Sequence, residues 1–389
     1  MKSRIQSIFN FLKTPKPIPA GIYAYQSPSD EPAPQKIYLR VEPNGYASLI
    51  INASTILHLN PVAAEFAHAY LHRLDEEQTI QNVLLKYRVD KDTVRRDYHS
   101  FLETLESFTK TEDLDPIEFF GFDRATHENL EGISAPFRLD CAITYRLPDS
   151  ASAAYAPHDR VKNELSTADW KIILDKAWQA GIPHIIFTGG EPTLRPDLLD
   201  LILHVEQNGQ ICGLITDGQI FQNAQVLQDY LNAGLDHLML LLDPRNKLGW
   251  KIIELITPYD IFIAVHITIN GENAPQISDT IARLAALGTK ALSLSMSTPE
   301  LSNILTEATD LASYYELKLI WDLPVPYSKF NPIRLETIRE ELFEGAGKTW
   351  LYVEPDGDVL PSQGIANGLG NLLTQDWKEI WKNCQDNVK

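Results

Sequence analysis

From Phe137 onward, short apolar runs alternate with longer segments in which apolar residues recur every three to four positions. The runs FRLDCAIT, HIIFT, ICGLIT, HLMLLL, IFIAVHIT and KALSLS are rich in Val, Ile, Leu and Phe and predict buried strands. The segments STADWKIILDKAWQAG, PDLLDLILHVEQNG, NAQVLQDYLNAG and ISDTIARLAALG predict amphipathic helices between them. Several end on glycine, which takes the left-handed conformation that closes a helix. Repeated β–α units of this length predict an α/β fold with a parallel sheet, either doubly wound or a full or partial barrel. A further strand, LKLIW, and a hairpin, TWLYVEPDGDVLPS, turning at Pro355-Asp356-Gly357, close the chain as an appendage.

Upstream the pattern differs. IYLRVEP, then Asn44-Gly45, then YASLIIN predicts a hairpin, because Asn-Gly accepts positive φ in a tight turn. Three helical patterns follow. PVAAEFAHAYLHRL is capped by Asn60 with Pro61 at its first position, and DEEQTIQNVLLKYRV and DKDTVRRDYHSFLETLESF carry acids in their first turns. This gives a small winged-helix-like α+β unit over 37–110. Residues 1–36 begin with a short basic helix candidate and continue as KTPKPIPAGIYAYQSPSDEPAPQK, whose six prolines deny it a regular ladder. A Pro-rich tether is expected there, pinned by Tyr23 and Tyr25. An acidic linker is expected over 111–135, the barrel over 136–322 and the C-terminal extension over 323–389.

Of 389 residues, 44% are apolar and 22% charged, which excludes a largely disordered chain. Lys and Arg number 34 against 52 Asp and Glu, a net charge of −18. That acidity disfavours nucleic acid and anionic membranes as partners. No apolar run approaches the roughly 18 residues of a spanning helix. The basic start MKSRIQSIFNFLKTPK lacks the long apolar core and cleavage site of a secretory signal, so a cytoplasmic protein is expected. Cys141, Cys212 and Cys384 are too few and too scattered for a disulfide framework or a self-contained zinc or iron–sulfur site.

In parallel α/β architectures the chemistry sits on loops after the carboxyl ends of strands. FTGGEPTLRPDL is the most informative of these. Gly189 and Gly190 allow positive φ and leave backbone groups open to a ligand, Glu191 presents a carboxylate, and Pro192 locks the turn. A carboxylate beside bare backbone suits an ammonium group; the plainer alternative is a tight β-to-α turn with a solvated Glu. Thr216, Asp217 and Gly218 follow the third strand and Asp243 the fourth, where each could reach a ribose or an amino acid, or simply cap a helix. His158, His184, His237 and His266 are scattered without metal-ligand spacing, and His266 is expected to be a satisfied core histidine. The acids of EELFEGAGK and EDLDPIEFF predict solvated surface, and no Gly-x-Ser-x-Gly or P-loop pattern occurs.

TGGEPTLRPDL, ITDG and LLDP at the ends of the second, third and fourth strands resemble the radical S-adenosylmethionine (radical SAM) core. The resemblance implies a partial (β/α)6 barrel whose Gly-Gly-Glu-Pro binds the methionine amino group of SAM. YVEPDGDVLPSQG, with LGNLL and WKEIW, resembles the SPASM/twitch extension of radical SAM peptide-modifying enzymes, and 37–108 resembles the PQQ-synthesis peptide-chaperone domain, or RiPP recognition element. The family carries a 4Fe–4S cluster on CxxxCxxC followed by an aromatic. With Tyr155 as that aromatic, the cysteines fall at Leu147, Ala151 and Ala154, and the SPASM-like cysteine at Ser362. Leu and Ala offer iron no lone pair, and Ser is a poor substitute for a thiolate. Cys141 and Cys212 lie within strands and are expected to be buried.

These residues predict a radical-SAM-fold protein that has lost its cluster and works in peptide maturation by binding. The peptide would add as a strand to the exposed edge of the 37–52 hairpin, and Glu191 with the glycines would retain weaker SAM binding. Two alternatives stand beside it. One is an active radical SAM peptide-modifying enzyme whose cluster ligands come from elsewhere, such as a partner chain. The other is a non-radical barrel enzyme in which Glu191, Asp217 and Asp243 bind a hard cation such as Mg²⁺.

Overall fold

A computed structural model describes residues 17–26, 36–51, 55–110, 133–148, 152–321, 323–333, 345–365 and 367–387. The basic N-terminal segment, most of the acidic linker and Ala151 lie outside these residues. The chain divides into two compact units, Met1–Leu114 with Ala125–Ile133, and Asp115–Arg124 with Ser134–Lys389.

The first unit holds an antiparallel sheet of β1 (Gly21–Gln26), β2 (Lys36–Val41), β3 (Ala47–Ile51) and β4 (Thr55–Leu59), in that order. The Asn-Gly hairpin forms as expected: Ile37 pairs with Ile51 and Val41 with Ala47, around Gly45 at φ +84°. Helices α1 (Pro61–Leu71), α2 (Glu76–Lys86) and α3 (Lys91–Lys110) follow. Asn60 accepts from the Val62 and Ala63 amides, and Asp75 and Gln78 form a capping box. Ile37, Leu39, Leu49 and Ile51 are buried against Ala64 and Ala67 of α1, while Phe66, Ile80, Val83, Val94 and Tyr98 join the three helices.

Two expectations are corrected here. The Pro-rich run does form a ladder, because no proline falls between Pro19 and Pro28 and those residues pair antiparallel with β2 from Gly21↔Val41 to Gln26↔Lys36. Tyr25 is held by Arg73, which donates to its hydroxyl at 3.1 Å. The hairpin, in turn, offers no open edge. Its β2 side is covered by β1 and its β3 side by β4, so among the described residues of this sheet strand addition is open at the outer edges of β1 and β4.

The second unit is a ten-stranded sheet in the order β11-β10-β9-β8-β7-β6-β5-β12-β13-β14. The parallel strands are β5 (Arg138–Thr144), β6 (His184–Gly189), β7 (Ile211–Thr216), β8 (His237–Leu241), β9 (Phe262–Ile269), β10 (Ala291–Met296) and β11 (Lys318–Ile320). The short α4 (Ser152–Tyr155) precedes α5 (Thr167–Ala180), and α6 (Leu198–Gln207), α7 (Ala224–Asn232), α8 (Lys247–Ile256), α9 (Ile277–Ala286) and α10 (Ser302–Tyr314) are the crossovers between later strands. Ser166 and Asp169 form a capping box on α5, and Gly181 ends it at φ +90°. Ile186, Ile215, Met239, Ala264, Ala291 and Ile320, one from each of six strands, pack together and define the inner face of a partial barrel.

The C-terminal hairpin is more than an appendage. β12 (Trp350–Val353) lies parallel to β5, with Trp350↔Arg138 and Val353↔Cys141, and β13 (Asp358–Leu360) and β14 (Gly370–Asn371) continue the sheet antiparallel. The final helix, α11 (Trp377–Asn387), stacks Trp377 on Trp381 and donates from Trp377 Nε1 to the Ser134 carbonyl. Among the described residues no helix is long and apolar enough to cross a membrane.

Candidate functional site at the carboxyl end of the barrel

The Gly-Gly turn lies against the extension of β5. A Cβ on Gly189 would come within 2.1 Å of the Thr144 carbonyl, and one on Gly190 within 2.2 Å of the Arg146 carbonyl. Gly189 also has φ +135°. Both glycines are therefore demanded by close backbone approach. The amides of Gly190 and Glu191 donate to Thr144 and Arg146 at 2.7 and 2.8 Å, and the Gly189 carbonyl accepts from the Tyr327 amide at 3.3 Å. The expectation that these groups stand open to a ligand is corrected in part: the chain itself fills the Gly190 and Glu191 amides and the Gly189 carbonyl.

Glu191 is 3% exposed. Its Oε1 accepts from the Thr193 amide at 3.0 Å, the Thr193 hydroxyl at 2.5 Å and the Thr216 hydroxyl at 2.7 Å, and its Oε2 from the Asp217 amide at 2.9 Å. Pro192 opens a 3₁₀ turn. Gly189, Gly190, Glu191, Pro192, Thr216 and Asp217 are thus brought together, as their strand-end positions suggested. Burial, followed by the charge of Asp217, pushes the Glu191 carboxyl up to about 7 against the hydrogen bonds that favour its anion. Burial also raises Asp217, opposed by hydrogen bonds from Gln219. A solvated Glu is excluded.

Asp243 is engaged elsewhere. Arg245 grips it in a fork, with Nε to Oδ1 at 3.2 Å and Nη2 to Oδ2 at 3.0 Å, and also pairs with Glu272. Burial would raise Asp243, but the hydrogen bonds and charge of Arg245 outweigh it and hold the carboxyl low. Among the described residues no three His, Cys, Asp or Glu side chains are grouped to hold a metal ion. The three-carboxylate cation site is therefore corrected, because Asp243 turns to Arg245 while Glu191 is consumed by amides and hydroxyls.

The residues after β5 do not fit an iron–sulfur cluster. Leu147 is half-buried and Ala154 exposed, and neither carries a donor. Cys141, Cys212 and Cys384 are all buried. Burial raises the Cys141 thiol well above its ordinary value and pushes Cys384 up to about 12, so neither tends to the thiolate that iron requires. Ser362 is buried in the position of the SPASM-like cysteine. Above Ala142 the space is packed by Tyr145, Tyr327, Tyr352 and Leu360. Tyr145 meets Tyr327 edge-on at 5.3 Å, and its hydroxyl donates to Glu354 at 2.8 Å. Arg160 pairs with the same carboxylate at 2.6 Å.

Sequence reasoning missed this cover. Its one signal was strand alternation, which puts Glu354, the residue just after β12, in step with Tyr352. It also missed a pair at the opposite end of the barrel, where His184 and His237 bring Nε2 to Nε2 at 3.2 Å. A Cβ on Gly213 would collide with His237. Burial holds His184 well below its usual value and His237 at about 3, so both stay neutral. His266 is the satisfied core histidine expected: Nδ1 lies 2.9 Å from the Ser293 hydroxyl, Nε2 3.1 Å from that of Thr268, and burial lowers it to about 3.

Residues 141–281 match the radical SAM superfamily. Over 171 residues the chain is 29% identical to a PqqA peptide cyclase of Gluconobacter oxydans (strain 621H), covering 40% of this chain and 48% of that one, about half its length. Over 286 residues it is 24% identical to a PqqA peptide cyclase of Streptomyces rochei, covering 64% of this chain and 76% of that one. Its fold is similar to that of Streptococcus suis SuiB bound to precursor peptide SuiA, with TM-score 0.56, 14% identity and coverage of 92% of this chain and 88% of that one. The S-adenosylmethionine-bound SuiB structure gives TM-score 0.54 at 14% identity, with the same coverage of 92% and 88%.

Proposed function

We propose that this chain, whose residues 141–281 match the radical SAM superfamily and which is similar to PqqA peptide cyclases, serves peptide maturation by binding a peptide and holds no 4Fe–4S cluster of its own. The observation that carries this reading is the loop after β5, where Leu147 and Ala154 offer no donor and the Tyr145–Glu354–Arg160 network packs the strand ends. The peptide adds to the outer edge of β4, which has β3 as its one strand partner among the described residues. Gly189–Pro192, Thr216 and Asp217 are the residues that would meet SAM. The Glu191 carboxylate and the Gly190 and Glu191 amides are engaged within the chain, so SAM binding is weak, and the covalent chemistry belongs to a partner enzyme. The peptide part of this reading is supported by the names of the relatives, which are peptide cyclases.

The test is iron and sulfide per chain after strictly anaerobic reconstitution, alongside capture of peptides by the full chain from a tiled library of synthetic 20-residue peptides. The expected result is substoichiometric iron with selective capture. About four irons per chain together with reductive cleavage of SAM would establish an active radical enzyme and overturn the proposal.

A further inference from the structure

The barrel is left open at one side: β11 and β14 end the sheet, and where β10–β11 face β5–β12 a cavity of about 90 Å³ remains. Asp140 lines it from β5, Ser293 from β10, Trp350 from β12, Trp321 and Leu323 from the chain after β11, and Ser362 from beyond the C-terminal hairpin.

The chemistry of these walls defines an occupant. Among the described residues Asp140 is the one ionisable side chain in the lining, and Arg138 already holds it, Nε to Oδ1 at 2.9 Å and Nη2 to Oδ2 at 3.2 Å. That guanidinium also lies over Trp350 at 5.1 Å. The cavity is charge-balanced and suits an uncharged group. Its volume falls well short of the roughly 150 Å³ that admits a benzene ring, so an aromatic side chain does not fit. The walls also call for a hydroxyl. Ser362 is 7% exposed, and among the described residues its hydroxyl reaches only the Gln363 carbonyl at 3.5 Å, beyond a well-formed bond. Ser293, bonded to His266 at 2.9 Å, shares the lining. Trp321 is 47% exposed, an apolar face left uncovered beside the cavity.

We propose that this cavity is a subsite for a serine or threonine side chain of a bound peptide, its hydroxyl meeting Ser362 and Ser293 while Trp321 covers the adjoining backbone. That the ligand is a peptide rests on the function proposed above; the choice of side chain rests on the cavity.

Labelling tryptophan with nitrogen-15 gives one indole signal for each of the seven tryptophans, and Trp321→Phe identifies that of Trp321. The full chain is titrated with N-acetyl-Gly-X-Gly-amide, X being Thr, Val, Lys or Phe. With Thr, the Trp321 and Trp350 signals move and saturate. Val binds at least fivefold more weakly, and Lys and Phe give no saturable shift. Filling the cavity by Ser362→Val or by Leu323→Phe abolishes the response, while the unmoved indole signals report an intact fold. An equal response to all four peptides, a response surviving both filled variants, or none at all overturns the subsite. Capture of a library peptide without a Trp321 shift leaves the proposed function standing and removes this subsite. A Thr-selective shift in a chain that captures no library peptide does the reverse.

Discussion

Glu191 shows how one side chain can fit a family motif and still be spent internally. Four donors surround its carboxylate, none of them a cation, and burial dominates its ionisation. Its folded pKa of about 7 lies above the ordinary 4.5, so the folded chain binds this proton more tightly than the unfolded one. Stability from this group is full below the unfolded pKa and is lost as pH rises through 7. We expect Glu191 to remove on the order of 2–3 kcal/mol of stability between pH 5 and pH 8. Urea unfolding of Glu191→Gln should show a flatter pH profile across that window; an unchanged slope would mean that the carboxyl titrates in the ordinary range. Residue identity and strand-end position were enough to place Glu191, Thr216 and Asp217 together. They could not reveal that Thr144, Arg146 and Tyr327 take up the turn's backbone groups, because those contacts join segments distant in sequence.

Among elements, the runs of apolar residues were legible because periodicity reports burial face directly: every predicted strand from FRLDCAIT to LKLIW formed. What stayed hidden was neighbourhood. Nothing local says that Gly21–Gln26 lies beside β2, or that β12 lies beside β5, since pairing between distant strands leaves no periodic trace. The second pairing matters most for the cover. It delivers Glu354 to Tyr145 and Arg160, which come from the loops after β5. Glu354 is 1% exposed, whereas the Arg160 side chain keeps 26% of its surface in solvent. Removing the acid deprives Arg160 and Tyr145 of their shared partner while water reaches the guanidinium in part, so Glu354→Ala should cost about 2–3 kcal/mol, below the usual range for a fully buried pair. Denaturant unfolding measures this; a change under about 0.5 kcal/mol, the surface-substitution range, would show that the network contributes little.

At the scale of the whole molecule, the pairing of β5 with β12 has a kinetic meaning. The first barrel strand waits for a neighbour made roughly 200 residues later, so that edge lacks its partner strand while the intervening residues are synthesised. A chain stopped before Trp350 would display that edge permanently, with Tyr145 and Ala142 uncovered beside it. Expressed alone, residues 1–345 should therefore partition to the insoluble fraction or bind a hydrophobic dye, while the full chain stays dispersed. A soluble, dye-silent fragment would mean that the barrel assembles without its last strands. If the fragment behaves as expected, β12 acts as a late clasp: the barrel cannot complete its fold until the ribosome has released the chain through Val353.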